Sequence, residues 1–266
     1  MSCAPILMPV EERLGAFTED AVLGGALRLR QPRRGHRVGH DAVLLAAACP
    51  AQADEPIVDL GAGVGAAGLA VARRVPAATA TLVEIDPELA ALAAANAELN
   101  GLAARVKAVT LDVLAPPRAF AAAGLPPESA AHVLMNPPFN DPLRQKLSPD
   151  RRRRLAHAAP REAVSAWIRT AARLLLPRGT LTLIFRAEGF ADLVRALDPL
   201  FGAVSVLPVH PKPDVAAIRI LVRATKASRA PIALLPGLVL NDASGQPSRQ
   251  AEAVLRSPAS LPFIRI

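Results

Sequence analysis

Cysteine, lysine and long apolar runs are scarce in this 266-residue sequence. The only cysteines, Cys3 and Cys49, are too few for a disulfide framework or a cysteine-based zinc site. The longest charge-free stretches, such as 60–72, fall short of the ~18–20 apolar residues that span a bilayer. The first residues lack a basic segment followed by an apolar stretch, so we expect no signal peptide. These features predict a protein of the reducing cytoplasm that has no membrane span.

Charge is unbalanced, with 31 basic residues against 23 acidic ones, a net charge of +8 and a pI near 10.8. Such a balance favours a polyanionic partner such as nucleic acid. Only four of the basic residues are Lys, and codon bias toward G and C would produce the same excess of Arg. The candidate phosphate contacts form two clusters of arginines along the sequence. Each cluster is also compatible with a solvated loop. The candidate contacts are Arg33, Arg34, Arg37, Arg151, Arg152, Arg153 and Arg154.

The remaining polar residues give no sign of metal chemistry or of a catalytic triad. The five histidines lack metal-ligand spacing, so we expect no metal. No convincing Ser-His-Asp or Cys-His set is present.

Strand-like and helical segments alternate from residue 56 onward, which predicts an α/β fold with a mostly parallel sheet. The last two strands are close in sequence and are expected to form an antiparallel pair at the sheet edge. The predicted strands are 56–60, 80–86, 105–113, 131–136, 180–185, 203–209 and 216–224. The predicted helices are 39–48 with Asp41 as N-cap, 64–74, 87–99, 161–176 and 190–197.

Composition divides the chain into three parts. Residues 1–50 are a basic N-terminal lid segment, and 51–225 carry the alternating elements and form the predicted cofactor-binding domain. Residues 226–266 are rich in Pro, Ser and Ala, and are predicted to be an extension packed on the surface.

A glycine-rich segment, VDLGAGVGAAG (58–68), runs from the end of the first of these strands into a loop that begins at Gly61, and it indicates a nucleotide-like ligand. Glu84 ends the second strand, where a carboxylate can accept both hydroxyls of a ribose, and Asp112 ends the third, where it could accept an adenine amino group. The loop fits NAD or S-adenosylmethionine. Asp59 directly before the loop favours the second, because S-adenosylmethionine is cationic and brings no pyrophosphate.

The fourth strand ends in Asn136-Pro137-Pro138-Phe139, at the mouth of the same predicted pocket. The Asn136 side-chain oxygen and the Pro137 carbonyl are two acceptors that can hold a planar NH₂ group, and the prolines keep them preorganised. The ring at position 139 offers a face on which a base can stack.

In their order and spacing these motifs resemble the class I S-adenosylmethionine-dependent methyltransferases of the Asn/Asp-Pro-Pro-Tyr/Phe/Trp group, which methylate amino groups. The resemblance covers roughly residues 56–140. It implies a Rossmann-like seven-stranded, mostly parallel sheet with an antiparallel last strand, the class I methyltransferase fold. It also places Glu84 on the ribose, Asp112 near the adenine and Asn136 on both cofactor and target amine.

Within that group the sequence is most similar to bacterial tRNA adenine-N6 methyltransferases that modify the adenine 3′ of the anticodon in a valine tRNA. The similarity lies in RRGHRVGHDAVLLAAA (33–48), VLMNPPFN (133–140), Ala156-His157 and VLPVHPKPDVAAIRILVRA (206–224). The sequence departs from many of them in having Phe139 instead of Tyr, and from some in having His40 instead of Ser before Asp41.

The resemblance implies S-adenosylmethionine as cofactor and tRNA as partner. The implied catalytic residues are Asn136, Pro137, Pro138 and Phe139. The implied cofactor-binding residues are Asp41, Asp59, Leu60, Gly61, Gly63, Gly65, Glu84, Ile85, Asp112, Val113 and Asn136. Asp41 is equally compatible with a plain helix cap.

Other interpretations stay open. They are a methyltransferase for a protein glutamine amide, for DNA or for ribosomal RNA, and a non-catalytic module that binds the cofactor.

Overall fold

The computed structural model describes residues 17–33, 37–138, 160–261 and 263. Within these ranges the strands are β1 (Phe17–Val22), β2 (Leu27–Pro32), β3 (Pro56–Leu60), β4 (Thr79–Glu84), β5 (Val106–Thr110), β6 (Ala130–Met135), β7 (Leu175–Arg186), β8 (Phe201–His210), β9 (Arg219–Lys226), β10 (Ala233–Leu234) and β11 (Leu238–Val239). The helices are α1 (His40–Ala48), α2 (Ala66–Arg74), α3 (Pro87–Leu99), α4 (Pro117–Ala122), α5 (Pro160–Leu174), α6 (Phe190–Leu197) and α7 (Arg249–Leu255). None of the described helices is long and apolar enough to cross a membrane.

The central sheet has the strand order β10-β8-β9-β7-β6-β3-β4-β5, and β11 also pairs with β8. Strands β3 to β7 are mutually parallel, whereas β9 runs antiparallel to both β7 and β8. The predicted fold class is therefore confirmed, with the last of the seven principal strands reversed. The short strands β10 and β11 are additions that the sequence did not predict, and they cover the outer edge of β8.

Helices pack on both faces of this sheet, so the molecule has three layers. One buried cluster joins the sheet to α1, α2 and α3 and includes Leu44, Leu69 and Ala93. The opposite cluster joins it to α4, α5 and α6 and includes Phe120 and Ile168. The antiparallel β1–β2 hairpin packs on the first of these faces, where Leu29 is buried.

The carboxyl-terminal part contributes to the core as well as to the surface. Leu238, Ala251, Val254 and Leu261 are all buried. The Leu261 N–H donates to the carbonyl of Ala47 in α1 at 2.8 Å, which ties this segment to the first layer.

Two helices begin and end where their sequence dictates. Helix α3 begins with Asp86 as N-cap, accepting from the Glu88 N–H, and with Pro87 in the first turn. It ends at Leu99 with Asn100 as C-cap, and the following residue, Gly101, has a φ of +67°. Helix α2 begins two residues later than predicted, because its N-cap Gly65 is left-handed with φ +88°.

Two sequence predictions about helix ends are wrong. Asp41 is not the N-cap of α1: Gly39 is, and Asp41 lies in the first turn, where it accepts a hydrogen bond from Arg219 Nε at 2.9 Å. Helix α5 ends at Leu174 rather than at residue 176. Strand β7 already begins at Leu175, because a bulge allows this residue to pair with Ala130 before the regular ladder with β6 resumes.

Candidate active site

The carboxyl ends of β3, β4, β5 and β6 lie side by side at one edge of the sheet, where ligands bind in open α/β sheets. Leu60 at the end of β3 pairs with Met135 at the end of β6, so the glycine loop and Asn136 leave adjacent strands at the same level. Glu84 at the end of β4 pairs with Thr110 of β5, two residues before Asp112. The fold therefore brings the three predicted motifs to one edge.

Hydrogen bonds to β4 and packing of the Trp167 ring support the glycine loop. The N–H groups of Gly61 and Ala62 both donate to the carbonyl of Val83 at 2.9 Å, which fastens the loop to β4. Gly61 has φ +69°, and a Cβ added there would lie 2.5 Å from the Trp167 ring. Gly63 has φ +58° and nothing within 4 Å of its added Cβ, so the loop presents bare backbone to open space.

Glu84 is nearly buried, and its carboxylate is held in place by backbone. One oxygen accepts the Gly63 N–H at 2.8 Å and the other accepts the Asp86 N–H at 2.9 Å. Each carboxylate oxygen keeps a further lone pair, so the group can still accept from two vicinal hydroxyls. The next residue, Ile85, exposes 44% of its surface and offers an apolar face beside this carboxylate.

Asp112 and Val113 form the third part of this edge. Asp112 Oδ1 accepts the Leu114 N–H at 2.8 Å, and Val113 is buried. The Val113 carbonyl accepts from the buried Thr170 hydroxyl at 3.0 Å, which links the loop after β5 to α5. Leu114 is 48% exposed, a second apolar surface at this edge.

Asp59 lies beneath the glycine loop and is only 3% exposed. Its Oδ2 accepts the Gly68 N–H at 2.8 Å, in the first turn of α2. Burial raises the pKa of Asp59 to about 7, against the lowering by the Gly68 hydrogen bond and together with a smaller contribution from the charge of Glu84.

This raised pKa predicts a pH-dependent stability that Asp59→Asn removes. The folded state holds a proton that the unfolded state, with an ordinary pKa of 3.8, releases, so the carboxyl costs stability as pH rises from about 4 to about 7. Relative to Asp59→Asn, wild type should lose about 4 kcal/mol of unfolding free energy over that window and nothing further above it. Urea unfolding of both proteins at a series of pH values measures this difference. A difference that stays constant between pH 4 and 7 would contradict the assignment.

Asn136 has a side-chain oxygen that is buried and has no hydrogen-bond partner among the described residues. A buried acceptor of this kind costs free energy unless a ligand satisfies it. Pro137 is buried and Pro138 is exposed, so the backbone that follows is packed on one side and open on the other. Phe139 lies outside the described residues.

The structure describes only some of the residues that were predicted to contact the cofactor from the lid segment or to bind phosphate. Asp41 forms an ion pair with Arg219, so a contact of Asp41 with a cofactor would compete with that pair. Arg37 donates to Asp20 at 2.7 Å and to the Thr18 hydroxyl at 3.0 Å, so its charge is partly compensated, whereas Arg33 is exposed. Arg34 and the run from Arg151 to Arg154 lie outside the described residues.

Sequence reasoning missed two residues at this site. Trp167 packs its ring against Gly61 of the glycine loop. Asn96 is fully buried in α3 and donates to the Val64 carbonyl in the middle of the loop at 3.0 Å. The available signal was an amide inside an Ala-rich helix, a position where a polar residue needs buried partners.

The geometry fits S-adenosylmethionine better than a dinucleotide. The open space above Gly63, the backbone-held carboxylate of Glu84 and the apolar Ile85 and Leu114 suit a nucleoside. Asp59 already accepts the Gly68 N–H at the start of α2, so this donor is not available to a pyrophosphate at the helix terminus. The described residues contain no group of His, Cys, Asp and Glu that could hold a metal ion.

Comparisons with known proteins agree with this geometry. The methyltransferase small domain family matches residues 36–215. The crystal structure of a predicted O-methyltransferase from Agrobacterium tumefaciens is 33% identical, with a TM-score of 0.71 over 83% of this chain and 98% of that chain.

Among curated proteins, a tRNA1(Val) (adenine(37)-N6)-methyltransferase from Porphyromonas gingivalis is 32% identical over 59% of this chain and 61% of that protein. A release factor glutamine methyltransferase from Chlorobaculum tepidum is 30% identical over 64% of this chain and 59% of that protein. The match spans only about 61–65% of the length of the tRNA-modifying relatives.

Proposed function

The chain belongs to the methyltransferase small domain family, and from that premise we propose that it transfers a methyl group from S-adenosylmethionine to the exocyclic amine of an adenine in tRNA. The proposed target is the adenine that follows the anticodon in a valine-type tRNA. The fold is that of class I methyltransferases, and the family match confirms S-adenosylmethionine as the cofactor predicted from the sequence.

The observation that carries the proposal is the buried side-chain oxygen of Asn136 at the end of β6, which has no hydrogen-bond partner in the part of the chain that the structure describes. This oxygen and the Pro137 carbonyl accept the two N–H groups of the target amine and hold its nitrogen in one orientation. The cost of the unsatisfied acceptor is relieved when the amine arrives, so binding the correct group is favoured over binding a group without N–H.

The remaining residues supply position and environment. Glu84 accepts the ribose hydroxyls, and Ile85 and Leu114 contact the apolar faces of the cofactor's nucleoside. Bound S-adenosylmethionine supplies an electrophilic methyl group. The amine loses its proton after attack, so no side chain is required as general base. The target base leaves its stack and is held against the ring of Phe139.

The choice of tRNA rests on relatives and on charge. Proteins named as tRNA1(Val) (adenine(37)-N6)-methyltransferases from Porphyromonas gingivalis, Tolumonas auensis and Bacteroides fragilis are 29–32% identical to this chain. The net charge of +8 suits a polyanionic substrate. An anticodon loop offers bases whose unstacking costs little free energy. Arg28, Arg30 and Arg37 contribute less to this, because they pair with Glu19 and Asp20.

A protein glutamine amide is the second candidate substrate. It needs the same two acceptors as an adenine amine, and the relative from Chlorobaculum tepidum is named for that reaction. An enzyme that methylates a protein glutamine does not need a basic surface to bind its substrate.

Labelled methyl transfer separates the two candidates. Wild type and Asn136→Ala are incubated with tritiated S-adenosylmethionine and, in separate reactions, with unmodified total tRNA and with a bacterial release factor. We expect label in tRNA, recovered as N6-methyladenosine by nucleoside mass spectrometry, and only with wild type. Label in the release factor alone would replace the tRNA proposal with the glutamine one. Label in neither, from protein that binds S-adenosylhomocysteine, would contradict both.

A further inference from the structure

The outer edge of β2 is paired with a helix instead of with another strand. In α3, the Asn100 side chain accepts the Arg28 N–H at 2.9 Å and donates to the Arg28 carbonyl at 2.7 Å. One turn earlier, the Asn96 side chain accepts the Arg30 N–H at 2.7 Å and donates to the Arg30 carbonyl at 3.0 Å. Two amides spaced by one helical turn thus replace a neighbouring strand and dock the hairpin.

The two asparagines differ in their remaining contact. Asn100 donates to the carbonyl of Asn96 within its own helix, at 2.7 Å. Asn96 donates instead to the carbonyl of Val64 in the glycine loop, at 3.0 Å. Val64 stands between Gly63 and Gly65, so this bond fixes the orientation of the peptide group between two left-handed glycines.

The same strand also contacts the segment that leads into α1. Gln31, next to Arg30, is buried and donates to Asp20 at 3.0 Å. Its oxygen accepts the Val38 N–H at 2.7 Å, just before α1 begins. Strand β2 therefore connects the glycine loop, through Asn96, with the segment that leads into α1.

We propose that Asn96 is a positioning residue of the cofactor site, which makes the conformation of the glycine loop depend on docking of the β1–β2 hairpin. An Asn side chain has one acceptor oxygen and two donor hydrogens, and all of them are used here to join the three elements. When the hairpin is docked, Asn96 is held by Arg30 and presents its N–H to Val64. When the hairpin is displaced, the amide is free to turn and the loop loses this restraint. The inference concerns the cofactor loop, so it stands whichever substrate is methylated.

Matched aspartates test this inference. Asn96→Asp keeps an acceptor for the Arg30 N–H but turns a carboxylate oxygen toward the carbonyls of Arg30 and Val64. Asn100→Asp makes the equivalent change against Arg28 and Asn96. Both variants should lose thermal stability, so the melting temperature alone does not distinguish them.

Two readouts distinguish a positioning role from a structural one. We expect Asn96→Asp to weaken S-adenosylhomocysteine binding, measured by calorimetry, by about tenfold or more, a typical size for coupling between sites. We expect it also to speed amide hydrogen exchange at residues 61–68 in the cofactor-free protein. Asn100→Asp should leave both values near those of wild type. Equal effects of the two variants on affinity and loop exchange, or no effect of Asn96→Asp on either, would overturn the proposal.

A second pair of variants covers the case in which Asn96→Asp fails to fold. Arg30→Pro removes the N–H that Asn96 accepts, and Arg28→Pro removes the one that Asn100 accepts. Both N–H groups point away from β1, so the hairpin ladder is kept. Arg30→Ala controls for the lost guanidinium. Faster exchange at 61–68 in Arg30→Pro than in Arg28→Pro and Arg30→Ala supports the coupling, and equal exchange in all three overturns it.

Discussion

Replacing Asn136 with Ala should reduce methyl transfer by about 10²–10³-fold or more, the range found when one preorganised polar group is removed from a reacting centre. The variant removes the buried oxygen that has no partner in the described part of the protein. In the proposed arrangement the loss falls on kcat, because the amine loses an orienting contact while the proposed cofactor contacts of Glu84 and the glycine loop remain. Single-turnover methyl transfer measures this effect.

Asn136→Asp is the matched control. It keeps an acceptor oxygen at the same place, so it should retain more activity than Asn136→Ala. S-adenosylhomocysteine affinity, measured by calorimetry, should change much less than kcat in Asn136→Ala. If Asn136→Ala transferred methyl groups at the wild-type rate, the side-chain oxygen would have no part in the reaction.

Gly61→Ala should destabilise the protein far more than Gly63→Ala, although both glycines have positive φ. The left-handed conformation costs an L-residue about 1–2 kcal/mol at either position. Only at Gly61 does the added Cβ meet the Trp167 ring, at 2.5 Å, and forcing atoms into a packed site costs about 1–3 kcal/mol more. Urea unfolding of the two variants gives the difference.

A double substitution identifies the cause. Gly61→Ala combined with Trp167→Leu should lose less free energy than the sum of the two single changes, because the smaller side chain makes room for the methyl group. Gly63→Ala should show the reverse pattern, with modest destabilisation and weakened S-adenosylhomocysteine binding, since its methyl group projects into the open space above the loop. Equal destabilisation at both glycines would mean that Trp167 does not support the loop.

The sequence was most informative where local chemistry decides the structure. Helix α3 has the predicted bounds because Asp86, Pro87, Asn100 and Gly101 are start and stop signals that act within one turn. The strands before the glycine loop and before Asn136 were recognisable as short apolar runs, and alternation of strands with helices predicted the parallel sheet.

It was least informative where partners lie far apart in the chain. Asp41 has the composition of a helix cap, but its partner is Arg219, 178 residues away. The sequence predicted that helix α5 continues to residue 176, whereas pairing with β6 draws Leu175 into a strand.

The supports of the candidate site were hidden for the same reason. Trp167 contacts Gly61, and Asn96 contacts Arg30 and Val64, through packing that only the folded chain creates. Of the candidate site, the sequence supplied the motifs and their common edge, and the structure supplied the residues that hold them.

The most direct test of the central claim uses two anticodon stem-loops of a valine tRNA that differ in one functional group. One carries adenosine directly after the anticodon, and the other carries purine riboside there, which lacks only the exocyclic amine. Each is incubated with wild-type protein and labelled S-adenosylmethionine, and methyl incorporation is counted. The proposed chemistry predicts label in the adenosine stem-loop, recovered as N6-methyladenosine, and none in the purine riboside stem-loop. Equal label in both would contradict it, because the methyl group would then be going to an atom other than the amine that Asn136 is proposed to hold.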